Sequence, residues 1–189
     1  MKLSIIVFRS GELHKAKNII TGWVNLPLST NGEKSAVELK KKLNRERIDV
    51  AFCSDLIASK ETLAIVLASH LDAKVVVDHR LRERNFGAVT GFIPADEFSA
   101  NSKKVLDGHG QYHFDIFNGE SLFGVSKRVF PFMSDVFRFM KNEKKNVAIC
   151  AHEDSLKLVI EYLEGLSCDK ATSIVHHPVN FRKYVIDFK

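Results

Sequence analysis

The sequence predicts an α/β fold, a three-layer sandwich in which helices cover both faces of a largely parallel sheet. Three observations carry that expectation. Five short β-rich runs fall at 3–8, 48–53, 74–78, 146–151 and 183–188, and helical patterns separate them. The first, second and fourth runs are nearly unbroken apolar stretches, as strands covered on both faces should be. Strands that alternate with helices are joined by crossovers, which set neighbouring strands parallel.

The elements follow in order. The first run, Leu3-Ser4-Ile5-Ile6-Val7-Phe8, is too short for a secretory leader and meets Arg9 at once, so it reads as a buried strand. Thr30-Asn31-Gly32-Glu33 has the form of a capping box and precedes Ala36, Leu39 and Leu43 on one helical face. A second helix, broadly apolar and therefore well buried, is expected over 55–71. Over 120–140, Leu122, Val125, Val129, Phe132, Val136 and Phe139 recur at three- and four-residue steps, as in an amphipathic helix. Leu156, Val159, Ile160 and Leu163 repeat the pattern. Between about 94 and 119 the periodicity gives way to polar, glycine-bearing sequence, expected to form a lid over the site. The 189 residues are expected to form one domain.

Composition narrows the function classes. Hydrophobic residues make up 45% and charged residues 27%, an ordered globular balance. No run approaches the roughly 20 apolar residues of a membrane span, so no membrane partner is expected. The net charge of +5 permits an anionic ligand. Its lysine clusters, at 40–42 and 141–145, lie at predicted helix ends, where cations complement the dipole, and no nucleic-acid module accompanies them. Cys53, Cys150 and Cys168 form no CxxC pair, which suits a reducing, cytoplasmic setting. Cys168, His176 and His177 match no zinc spacing, so neither metal nor cofactor is expected.

Ligands of open parallel sheets bind beyond the carboxyl ends of the strands. There the sequence places Arg9-Ser10-Gly11-Glu12, Ser54-Asp55-Leu56, Leu81-Arg82-Glu83-Arg84-Asn85-Phe86-Gly87 and His152-Glu153-Asp154-Ser155. An arginine, a glutamate and a histidine thus converge from distant parts of the chain, the makings of an oxyanion pocket with an acid.

The order and spacing of these segments resemble the histidine phosphatase superfamily, most closely its cofactor-dependent phosphoglycerate mutase branch. Val7-Phe8-Arg9-Ser10-Gly11-Glu12 resembles the Arg-His-Gly-Glu signature. Thr21-Gly22-Trp23-Val24-Asn25 and Leu28-Ser29-Thr30-Asn31-Gly32 follow the Gly-Trp and Leu-Ser/Thr-x-x-Gly elements. Ser54-Asp55-Leu56 aligns with the second motif, and Glu83-Arg84-Asn85-Phe86-Gly87-Ala88-Val89-Thr90-Gly91 with the mutases' Glu-Arg-x-Tyr-Gly-x-Leu-Thr-Gly. Glu120-Ser121-Leu122, Arg128-Val129-Phe130-Pro131-Phe132 and Leu163-Glu164-Gly165-Leu166-Ser167 continue the likeness downstream.

The resemblance implies a phosphoglycerate mutase-like sandwich and a phosphohistidine reaction. Arg9, Ser10, His152 and Glu153 fall at phosphate-binding positions, Ser10, Glu83 and His152 at catalytic ones, and Thr21, Gly22 and Arg84 at substrate contacts. The departures point away from that reaction. Ser10 stands at the nucleophile position, Ala58 at the second phosphate arginine and Glu153 at a glycine. Phe86 replaces the mutase tyrosine, Pro94 sits near a substrate lysine, and the shortened lid has no Arg-Arg pair. Glu153 would either repel phosphate or face solvent at a helix N-terminus. The resulting expectation is a degenerate, catalytically impaired member that binds a small phosphorylated or carboxylated molecule. Two alternatives stand beside it: an active mutase or phosphomonoesterase that uses Ser10, and an oligomeric scaffold, since family mutases often assemble.

Overall fold

Alternation along three strands builds the two halves of the core. Residues of opposite parity on a strand face opposite sides of the sheet. In the computed structural model, Leu3, Ile5, Val7, Val50, Phe52, Val147, Ile149 and Ala151 join one apolar cluster. Ile6, Phe8, Ala51, Cys53, Ala148 and Cys150 join the other. The structure describes residues 1–14, 19–91, 111–113 and 118–189. Most of the expected lid, including Pro94, lies outside them.

The described elements run β1 (Lys2–Arg9), α1 (Thr30–Leu43), β2 (Val50–Cys53), α2 (Ile57–Leu67), β3 (Lys74–Val77), α3 (Leu122–Glu143), β4 (Val147–Ala151), α4 (Glu153–Glu164), α5 (Cys168–Thr172) and β5 (Phe181–Asp187). The sheet order is β3-β2-β4-β1-β5. β1, β2, β3 and β4 pair in parallel, while β5 runs antiparallel to β1. Leu39, Leu43, Leu63 and Val66 of α1 and α2 cover one face. Val125, Val129, Phe132, Met133, Val159 and Ile160 of α3 and α4 cover the other. This is the three-layer arrangement expected, with one edge strand reversed.

One local expectation is corrected. Ser29, not Thr30, caps α1: its extended backbone lies outside the helix and its Oγ accepts from Gly32 N–H at 3.0 Å. Thr30 is already helical, which moves the cap one residue upstream. β3 is an exposed edge, with Val75, Val76 and Val77 open to solvent.

The topology positions the site. α1, which follows β1, and α4, which follows β4, pack on opposite faces, so the order reverses between these adjacent strands and opens a crevice at their carboxyl ends. The backbone closes tightly around it. Ser10 N–H donates to Ala151 O at 2.8 Å, and Ser29 N–H donates to Glu12 O at 2.8 Å. A Cβ on Gly11 would stand 2.7 Å from Gly32 O, so the loop after β1 and the start of α1 need glycine at both positions.

Candidate functional site

A cavity of about 680 Å³ opens at this crevice. Arg9, Ser10, Thr21, Gly22, Ala58, Glu83, His152 and Glu153 line it, with Leu56, Phe86, His177 and Pro178 among its other walls. Of the eight residues given phosphate-binding, catalytic or substrate positions by the resemblance, Arg84 alone is absent from the described lining. Arg84 was expected as a substrate contact. It is instead fully buried: its Nε donates to Glu120 O at 2.6 Å and its guanidinium lies 5.6 Å from the Phe86 ring centroid. An arginine buried here binds backbone that the fold itself provides.

His152 begins where β4 ends and sits between two hydroxyls. Ser10 Oγ is 3.2 Å from its Nδ1, and Ser54 Oγ is 2.7 Å from its Nε2. Ser54 follows β2 as Ser10 follows β1, so three parallel strands deliver the three groups. Burial, reinforced by Arg9 and Arg128, holds the imidazole's pKa down to about 3. It is therefore neutral, with one ring nitrogen donating and the other accepting.

Glu83 is placed as a cap. Its Oε1 accepts from Arg84 N–H at 2.8 Å and from Asp154 N–H at 3.0 Å, and its Oε2 accepts from Glu153 N–H at 2.9 Å. The carboxylate thus takes the first amides of α4, where orphan donors and the helix dipole favour negative charge. Burial, followed by the neighbouring Asp154 charge, raises its pKa above the usual carboxylate range. Arg128 fixes the loop that carries Glu83. It donates to the carbonyls of Arg80 at 2.6 Å, Arg82 at 2.8 Å and Glu83 at 2.9 Å, and to the Glu120 carboxylate at 2.8 and 2.9 Å. Nothing in the sequence assigned Arg128 this task.

The side of the pocket that the resemblance gives to phosphate departs from the family pattern. Arg9 Nη2 lies 2.8 Å from Glu153 Oε2. Glu153 is half-exposed at the N-terminus of α4, as one expectation had it, but it is not an unbalanced charge: it pairs with Arg9, the arginine that the resemblance gives to phosphate. Ala58 offers no second guanidinium, and Lys60 is exposed on α2 outside the cavity lining. The Thr62 hydroxyl, one turn beyond Ala58, accepts from Gly11 N–H at 3.0 Å and donates to Ala58 O at 2.7 Å, fixing the first loop to α2. The loop before β5 brings His177 to the cavity rim. No local sequence signal marks it. Among the described residues, no group of three His, Cys, Asp or Glu side chains is placed to hold a metal ion. No described helix is long and apolar enough to cross a membrane.

A mostly parallel sandwich whose first and fourth strands end in an arginine and a histidine at one cavity defines a histidine-phosphatase-type fold. The family model described as histidine phosphatase superfamily (branch 1) matches residues 5–188, and the chain belongs to that superfamily. The chain is 29% identical over 196 residues to a 2,3-bisphosphoglycerate-dependent phosphoglycerate mutase of Methanosarcina mazei, covering 86% of this chain and 81% of that protein. It is 30% identical over 194 residues to the mutase of the same name from Staphylococcus epidermidis, covering 86% and 85% respectively. The fold is similar to that of an alpha-ribazole phosphatase from Shigella flexneri, with a TM-score of 0.83 at 21% identity over 96% of this chain and 89% of that one. A mycobacterial glucosyl-3-phosphoglycerate phosphatase gives a TM-score of 0.81 at 20% identity over 98% and 91%.

Proposed function

We propose that this chain is a histidine-phosphatase-fold protein that binds a small metabolite in the cavity and does not transfer phosphoryl groups through the loop after β1. One observation carries the reading: the Nε2 of His152 is held by the Ser54 hydroxyl, not by a carboxylate. A serine nucleophile needs a base, and an effective base is oriented and stabilised by a third, anionic group. Here the base is buried, neutral and has a pKa of about 3, far below what taking a hydroxyl proton at neutral pH requires.

The loss of the first-loop imidazole and of the second arginine acts in the same direction. Together they remove the attacking nitrogen and one bidentate ligand for the equatorial phosphoryl oxygens. The rival reading, an active phosphomonoesterase or mutase, rests on the 3.2 Å contact between Ser10 Oγ and His152 Nδ1, the geometry of a serine-base pair. The test is hydrolysis of p-nitrophenyl phosphate by the purified protein. The expected rate is no greater than that of Arg9→Ala. Turnover that disappears in both Arg9→Ala and Ser10→Ala overturns the reading.

A further inference from the structure

We infer that Glu153 is a built-in anion that sets the selectivity of the cavity, occupying the place of a ligand's phosphoryl group on Arg9. The inference rests on the cavity being the ligand site, as proposed above, and adds which ligands that site refuses. It starts from the 2.8 Å contact between Arg9 Nη2 and Glu153 Oε2. A carboxylate presents oxygens to a guanidinium much as a phosphoryl group does. Glu153 is tethered on the first residue of α4, so no free ligand has to be captured to fill the position. Lys157, one turn further along, donates to Asp154 Oδ1 at 2.9 Å and stands 3.9 Å from the other oxygen of Glu153, adding positive charge beside it.

The other groups that a phosphate would use are also occupied. The amides of Glu153 and Asp154 donate to Glu83 at 2.9 and 3.0 Å. The ring nitrogens of His152 face Ser54 at 2.7 Å and Ser10 at 3.2 Å. A phosphate dianion entering the cavity therefore has to displace a tethered competitor and then remain close to its charge. Both effects weaken binding, and the second grows with ligand charge. Neutral ligands, which have no need of Arg9, escape both. Glu153 thus reserves the cavity for ligands without a dianionic group.

The partners are partly solvated, with side-chain exposures of 32% for Arg9 and 50% for Glu153, so screening moderates the effect. An affinity change of about tenfold is the expected scale for losing one such pair together with its repulsion. The probe is inorganic phosphate, titrated by calorimetry into the native protein, Glu153→Gln and the double variant Arg9→Gln/Glu153→Gln. Glutamine keeps the shape of the side chain and leaves the 153 amide on Glu83. The expected result is weak binding to the native chain, about tenfold tighter binding to Glu153→Gln, and loss of that gain in the double variant.

Equal affinity of the native protein and a folded Glu153→Gln overturns the inference, as does a gain that survives removal of Arg9. Glu153→Ala serves as a second neutral variant should the glutamine protein fold poorly. Micromolar phosphate binding by the native chain overturns the inference without any variant. Failure of the functional reading registers elsewhere: native turnover of p-nitrophenyl phosphate refutes that reading and leaves the ranking of phosphate affinities to be read on its own.

Discussion

Replacing His152 with glutamine, and following stability against pH, isolates what the neutral imidazole contributes. Burial is the largest cause of its low pKa, about 3 against 6.5 for a free histidine, with Arg9 and Arg128 adding to it. Between those values the unfolded chain takes up a proton that the folded chain refuses. The folded state then binds fewer protons, so stability rises with pH across this window. The contribution is fully present above about pH 6.5 and is lost as the pH falls toward 3. A displacement of this size caps the loss at about 5 kcal/mol. Between about pH 7 and about pH 4.5 it amounts to roughly 2.5 kcal/mol. Glu83, shifted upward, works in the opposite direction: its share is present at low pH and is lost as the pH rises through its folded-state value. That share is common to both proteins and drops out of their difference. Urea unfolding followed by circular dichroism should give a native stability that falls in this interval relative to His152→Gln. Parallel curves for the two proteins would show that the imidazole is not held neutral, and the case against a Ser10–His152 pair would lose its base.

Three further outcomes follow from the same geometry. Ser10→His with Ala58→Arg should restore detectable p-nitrophenyl phosphate hydrolysis, because both positions line the cavity, and adding Glu153→Gly should raise it further. No activity in the triple variant would mean that the pocket's shape, and not only its reactive groups, has changed. Arg128→Ala should cost about 3 kcal/mol in chemical denaturation, since it strands the Arg80 and Arg82 carbonyls and takes the charged partner from the partly buried Glu120 carboxylate; a loss below about 1 kcal/mol would deny it a structural role. Gly32→Ala should cost about 2 kcal/mol or more and lower the melting temperature, because its Cβ would meet the Glu12 backbone; an unchanged melting temperature would mean that the loop relaxes freely.

The architecture was largely legible because the centre of β1 and all of β2 and β4 are buried on both faces and are correspondingly apolar. Periodicity likewise located α1, α3 and α4, and broad apolarity located α2; the expected 55–71 and 120–140 fall within four residues of the observed ends of α2 and α3. The short α5 carried too few periodic positions to be seen, and the reversal of β5 depends on its pairing with β1, which no local pattern encodes. β3 was legible as a strand from Val75-Val76-Val77, but those same valines hide that it is an exposed edge.

At the site, the converging side chains were legible from the strand-end rule, since Arg9, Ser54 and His152 each follow directly from a strand core. Their partners were not. The choice of Glu153 between solvent, repulsion and Arg9 is made by where α4 begins relative to the end of β1, a distance fixed only by the packed sheet. Arg84 lies outside the described cavity lining, with its Nε on the Glu120 carbonyl, and spacing along the chain says nothing of that.

Intact-mass analysis after exposure to a reactive phosphoryl donor bears most directly on whether this cavity performs transfer. The native chain should keep its unmodified mass under conditions in which the Ser10→His/Ala58→Arg protein gains one phosphoryl group. A phosphorylated native chain, with the group mapped to Ser10 or His152 and lost in Arg9→Ala, would contradict the account.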